Sequence, residues 1–191
     1  MASVYSVAAT GAGAGSGKSG GGRAPPGSGS GISLEQRFYK LVRENALPEL
    51  RHAWSLEDAG LTQAGLVELF ESQILSRQLD LHARRLSAQK IGYYTIGSSG
   101  HEGNAAIAKA LRHTDPALLH YRDAPFFIQR SKQVPGIDIT YDMLLSFVAS
   151  SDDPIAGGRH KVLGSKKLNV PPQTTTMPSQ LPKRVGAGYS M

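Results

Sequence analysis

The sequence predicts an α/β fold in which several helices precede a first buried strand, with too little strand to complete a sheet. Three observations carry this reading. Apolar residues recur at helical spacing through the first two thirds of the ordered region. Leu118-Leu119-His120-Tyr121 is the first segment that reads as a buried strand. No run of alternating residues elsewhere supplies it with partners.

Order is expected from Ser33. Residues 1–31 hold ten of the chain's 22 glycines together with Pro25-Pro26, a composition that cannot bury enough apolar area to offset its ordering entropy. The expected organisation is a Gly/Ser/Ala-rich tail over 1–31 and one domain over 32–191. The tail contains Gly17-Lys18-Ser19, close to a phosphate-cradling loop. It leads into Gly20-Gly21-Gly22 rather than a helix, so a P-loop nucleotide binder is a minor alternative.

Ser33-Leu34-Glu35-Gln36 is a capping-box pattern, and Leu34, Phe38, Leu41 and Val42 form one stripe of a helix that Pro48 should end. Ser55–Gly60 reads as a turn. The strongest helix starts at Thr62 and runs to about Lys90, with Leu66, Phe70, Gln73, Ile74, Arg77 and Leu81 on one side and Gly92 ending it. A third helix spans His101–Leu111, where Gly103, Ala105, Ala106, Ala108 and Ala110 permit close packing. A helical turn is expected over Pro125–Arg130 and a further helix over Ile139–Val148. Ser150–Pro172, rich in glycine and base, shows no periodicity and reads as a functional or unstructured loop. Leu181–Met191 reads as the opening of a helix.

Charge is unevenly placed along the 191 residues. Residues 1–31 carry +2, residues 32–153 carry −2, and the segment after Asp153 has six bases and no acid. A local basic excess points to an anionic ligand more than to nucleic-acid coating, and aromatics do not interleave with the late bases. Without cysteine there is no disulfide framework, thiolate metal site or cysteine nucleophile. No apolar run reaches the ~20 residues that span a bilayer, and the N-terminus lacks a secretory pattern, so the expectation is a cytoplasmic protein with neither membrane nor nucleic acid as partner.

Two stretches go further. One holds Arg77-Gln78-Leu79-Asp80, Gln89-Lys90-Ile91-Gly92-Tyr93-Tyr94, Gly97-Ser98-Ser99-Gly100-His101-Glu102-Gly103 and Tyr121-Arg122-Asp123. The other holds Gly158-Arg159-His160, then Thr174-Thr175-Thr176-Met177-Pro178-Ser179-Gln180-Leu181-Pro182, then Val185-Gly186. In this order and spacing the chain resembles the N-terminal part of the alpha subunit of thiamine-diphosphate-dependent 2-oxo acid dehydrogenases of the pyruvate and branched-chain type, most nearly bacterial forms with alpha and beta regions fused. The similarity covers roughly residues 60–191.

The resemblance implies the start of a doubly wound, thiamine-diphosphate-binding fold. It implies an oxidoreductase that decarboxylates a 2-oxo acid and passes the acyl group to a lipoyl arm. The partners it implies are a beta subunit or beta region and a lipoyl-bearing acyltransferase. Tyr121 and Arg122 match a pair that binds the cofactor's diphosphate, a role suited to a guanidinium beside a phenol. The plainer alternative makes Arg122 and Asp123 a surface pair at a strand end. Thr175 and Met177 match positions that meet the aminopyrimidine. Thr174, Thr176, Ser179 and Gln180 match a loop that binds potassium, against the alternative of a capped helix start with no ion. His160, with Arg159, Lys161 and Ser165, lies in the loop that orders over the cofactor. His160 is the one catalytic candidate, with a solvated basic loop as alternative, because Val162-Leu163-Gly164 replaces the family's Pro-x-His step.

The family holds magnesium with a Gly-Asp-Gly motif and a later Asn. No acid follows Asp153, so magnesium ligands are not expected from that part of the chain. The expectation is the front part of a larger enzyme, inactive alone. The competing expectation is a non-catalytic, truncated interaction subunit.

Overall fold

A computed structural model describes residues 34–46, 54–159, 161–174, 176 and 178–190. The chain divides into two units at Ala53/Trp54. Expectations for the 1–31 tail, for Ser33 and for Pro48 lie outside the described residues.

Of the first unit, α1 spans Leu34–Arg43. It stops before Pro48 because Asn45 turns left-handed, with φ 49°. Asn45 N–H donates to Val42 O at 3.2 Å and Ala46 N–H to Leu41 O at 2.9 Å, a Schellman closure of the last turn. Phe38, Tyr39 and Val42 are exposed on it.

The second unit holds five further helices among the described residues: α2 (Gln63–Ala88), α3 (Asn104–Ala110), α4 (Ala124–Ser131), α5 (Ile139–Phe147) and α6 (Gln180–Ser190). All eight residues of α4 are buried, and it packs on α2, α3 and α5. α3 comes close because Ala105 and Ala108, at zero exposure, leave no side chain to hold the backbones apart. The core gathers Leu79 and Ala83 from α2, Phe126, Phe127 and Ile128 from α4, and Met143 and Phe147 from α5.

Three local signals act where the sequence places them. Thr62 caps α2, its Oγ1 accepting Gly65 N–H at 3.0 Å, and Asp138 caps α5 by accepting Tyr141 N–H at 3.0 Å. Pro125 enters α4 in its first turn. The α2 terminus differs in detail. The helix ends at Ala88, and Lys90 rather than Gly92 takes the left-handed turn, with φ 61°. Gly92 is needed for space, because a Cβ there would lie 2.8 Å from that of Leu86.

Three expectations are corrected. The α2 stripe of Leu66, Phe70 and Ile74 faces out, at 46%, 59% and 44% exposure. The buried face is Gly65, Leu69, Ser72, Ser76, Leu79, Asp80 and Ala83, whose polar members hydrogen-bond inward. Next, Leu118–Tyr121 forms no strand ladder. The stretch has no regular structure; Ala117 and Leu119 are buried, Ala117 N–H donates to Asn169 O at 3.0 Å, and Leu118 O accepts from Arg184. Lastly, the aperiodic basic segment is part of the core. Leu163, Leu168 and Val170 are buried, and Ser165 and Val170 exchange backbone hydrogen bonds of 2.8 and 2.9 Å across an isolated antiparallel bridge.

Arg130 fastens that segment. Wholly buried, it donates from Nη1 to Asp115 O at 2.8 Å, with longer bonds to His113 O and Leu168 O, and stacks 4.9 Å from the Phe126 ring centroid. Among the described residues no helix is long and apolar enough to cross a membrane.

Candidate functional site

The residues around Tyr121 and Arg122 form a corner between the irregular segment 116–120 and the N-terminus of α4. The corner is shaped by a turn from the preceding layer. Asp80, 5% exposed in the middle of α2, accepts Ser98 N–H at 2.8 Å and Ser98 Oγ–H at 2.9 Å, and Ser76 Oγ meets Ser98 Oγ. Gly97 lies so near that a Cβ would stand 2.7 Å from Asp80 Oδ2. The latch therefore fixes the carbonyls of residues 97–99, and Arg122 reads them. Its Nε–H donates to Gly97 O at 3.0 Å and its Nη2–H to Ser99 O at 2.9 Å.

A guanidinium has five N–H donors, and these two bonds use two of them. The other three remain available to an anion, while the plane of the group is already set. The adjacent Asp123 forms no ion pair with Arg122, because its oxygens are turned to other donors. Asp123 Oδ1 accepts Asn104 Nδ2–H at 2.7 Å and lies 3.7 Å from His101 Nδ1, and Oδ2 accepts His120 N–H at 2.7 Å. The expected alternative of an Arg122–Asp123 surface pair is thus not what their hydrogen bonds form.

His120 was not singled out by the sequence. Its ring stands 3.7 Å from that of Tyr121, its Nδ1 accepts Arg122 N–H at 3.4 Å, and its buried Nε2 has no hydrogen-bond partner. With Nδ1 accepting, the neutral ring carries its proton on the buried Nε2. Burial holds the imidazole below its ordinary pKa. Asp123 opposes that shift, and the charges of His101 and Arg122 add to it.

The polar loop before α6 is assembled in part. Thr174 Oγ1 and Ser179 Oγ are 2.7 Å apart, Ser179 N–H donates to Thr176 O at 3.0 Å, and Gln180 opens α6. Thr174 and Thr176 are exposed. His160, Thr175 and Met177 lie outside the described residues.

Glu102 serves its turn: its Oε2 accepts Gly100 N–H at 2.8 Å, where Gly100 takes φ +88°. Beside His160, Lys161 is buried at 6% exposure. Its ammonium donates to Ile96 O at 3.0 Å and sits 4.8 Å from the Phe147 ring centroid, while its own N–H donates to Tyr94 Oη at 3.0 Å. Burial pushes its pKa down to about 8 against the pull of Asp80. Lys161 thus ties the basic loop to the same 94–99 segment that presents carbonyls to Arg122.

The donor of this corner with a set orientation is the Arg122 guanidinium. Among the described residues no group of three or more His, Asp or Glu is arranged to hold a metal ion. Comparison with known proteins adds no relative: no family model, no curated protein and no solved structure matches this chain.

Proposed function

We propose that the Tyr121–Arg122 corner is the diphosphate-binding part of a thiamine diphosphate site, and that the chain is the alpha-type part of a 2-oxo acid dehydrogenase. The observation that carries the reading is the posture of Arg122, oriented by two backbone carbonyls and left with unspent donors beside a carboxylate that is already satisfied. A pre-oriented guanidinium loses less freedom on binding and recognises phosphate bidentately. Tyr121, next in sequence to Arg122, would add a phenol donor.

The carbanion-stabilising chemistry of decarboxylation belongs to the cofactor, and the chain's share is to hold its charged end. Thr175 and Met177 would meet the ring, and Thr174, Thr176, Ser179 and Gln180 would offer oxygens to potassium. His160 would lie in the covering loop. Magnesium ligands and the remaining catalytic groups would come from a beta subunit or beta region, and the acyl group would leave on a lipoyl-bearing acyltransferase.

Titration calorimetry on the full chain with thiamine diphosphate, and with unphosphorylated thiamine as control, tests this. Arg122→Ala should weaken thiamine diphosphate binding at least tenfold, about 1.4 kcal/mol, and leave thiamine unaffected. Equal loss for both ligands, or no loss, removes the assignment.

A second reading, a non-catalytic interaction subunit, draws on different residues. α6 buries none of its side chains, leaving Leu181, Val185 and Tyr189 exposed, and the outer face of α2 is apolar. Under it, thiamine diphosphate would produce no heat at all.

A further inference from the structure

The outward face of α2 is apolar where it meets solvent. Val67, Phe70, Ile74, Arg77, Leu81 and Arg84 follow one another at spacings of three and four residues, the pattern by which one helix presents a stripe to another. The stripe lies opposite the buried Leu69, Ser72, Ser76, Leu79 and Ala83. Val67, Phe70 and Ile74 are 56%, 59% and 44% exposed and Arg84 is exposed, while Arg77 and Leu81 are half-buried. Large apolar side chains gathered on one exposed face, rather than scattered singly, mark an interaction surface.

Charge selects what covers it. Residues 63–76 of the helix carry Glu68 and Glu71 and no base. Residues 77–88 carry Arg77, Arg84 and Arg85, and their one acid, Asp80, is buried against Ser98. Glu68 is satisfied within the fold by Lys109 and Gln129. Glu71 is 65% exposed, and only its Oε2 meets a base, Lys132 at 3.4 Å. Arg84 and Arg85 are exposed and meet no acid among the described residues. A face that is acidic toward one end and basic toward the other complements itself when turned end for end.

Antiparallel pairing centred on Ile74 and Arg77 sets Phe70 of each copy beside Leu81 of the other. It lays Val67 against the aliphatic stem of Arg84, whose head then comes within reach of Glu71. Parallel pairing would set each residue beside its own copy, Arg84 on Arg84, and like charges would oppose it. We propose that this face of α2 is the interface of a two-fold homodimer in which the helices of two copies pack antiparallel. The dimer would form with or without thiamine diphosphate, since none of these residues belongs to the Tyr121–Arg122 corner.

Sedimentation equilibrium of the full chain, at concentrations on the order of 1–100 µM, tests this and should show monomer giving way to dimer. Phe70→Ser, at an exposed position, removes a contact that two-fold symmetry makes twice, and should weaken the dimer about a hundredfold or more. Arg84→Glu should weaken it too, and adding Glu71→Arg to that variant should restore it. The chain has no native cysteine, so engineered thiols report the orientation. When Val67→Cys chains are mixed with Arg84→Cys chains, oxidation should link unlike chains. A chain that stays monomeric throughout overturns the proposal and leaves the face to a different protein. A dimer that Phe70→Ser leaves intact overturns it equally, as does linkage of Val67→Cys chains only to one another.

Discussion

Asp80 and Ser98 are joined twice: the one carboxylate oxygen, Oδ2, accepts both the backbone N–H and the hydroxyl of the serine, at 2.8 and 2.9 Å. The pair anchors a turn without regular structure to the middle of the longest helix, and Arg122 takes its orientation from the carbonyls on either side of Ser98. Removing the carboxylate leaves two buried donors and a cavity. Asp80→Ala should therefore cost about 3–5 kcal/mol, and Ser98→Ala, which removes the hydroxyl but keeps the backbone bond, about 1–2 kcal/mol. Chemical denaturation measures both. Equal costs for the two would mean that the carboxylate does not hold the turn.

Backbone handedness gives a second pair of expectations, opposite in sign. Ala149 ends α5 at φ 53°, with Ser150 N–H donating to Leu145 O at 2.9 Å in a Schellman closure. Gly158 packs against that closure. A Cβ at Gly158 would stand 2.7 Å from Ala149 C and 2.9 Å from Ser150 O, at φ +75°. Ala149→Gly should stabilise by about 0.5–1 kcal/mol, since the left-handed residue no longer carries a Cβ. Gly158→Ala should destabilise by about 2 kcal/mol or more, because backbone rather than a movable side chain blocks it. Melting temperatures of the two variants should move in opposite directions.

Lys161 predicts a pH dependence. Its pKa falls from an ordinary 10.5 to about 8 in the folded chain. Below pH 8 the amine is protonated in both states, and burial of the charge costs stability in full. Between pH 8 and 10.5 the unfolded chain holds the proton more tightly, so stability rises with pH across that window, by up to about 3 kcal/mol from this group. Lys161→Met, which fills similar space without a charge, should flatten the rise. A variant whose denaturation midpoint keeps the parent's slope from pH 8 to 10 would place the amine in solvent instead.

What the sequence disclosed and what it hid divide along physical lines. Thr62, Asp138 and Pro125 act within one turn of themselves, so their helices could be read locally. Ser76 and Asp80 look polar and exposed in sequence, yet hydrogen bonds to Ser98, 18–22 residues away, let them occupy the buried face of α2. Apolar periodicity cannot register such bonds. Leu163, Leu168 and Val170 were hidden differently: glycine and lysine around them mask a chain that enters the core on a single bridge and on Arg130. Tyr121 and Arg122 were legible as a pair. The carbonyls that orient Arg122, 23–25 residues earlier, and the unpartnered His120 Nε2 required coordinates.

The two faces of α2 give the sharpest contrast, because adjacent residues exchange the roles that periodicity assigns. Leu69 is buried and Phe70 is not. Leu69→Ala deletes core contacts and should cost about 2–5 kcal/mol. Phe70→Ser removes a larger apolar group, but one already in solvent, and should change the stability of the dilute chain by no more than about 0.5 kcal/mol. Denaturant titrations of both variants at low protein concentration decide between the faces. If Phe70→Ser proves the costlier change, the apolar stripe of Leu66, Phe70 and Ile74 is covered in solution.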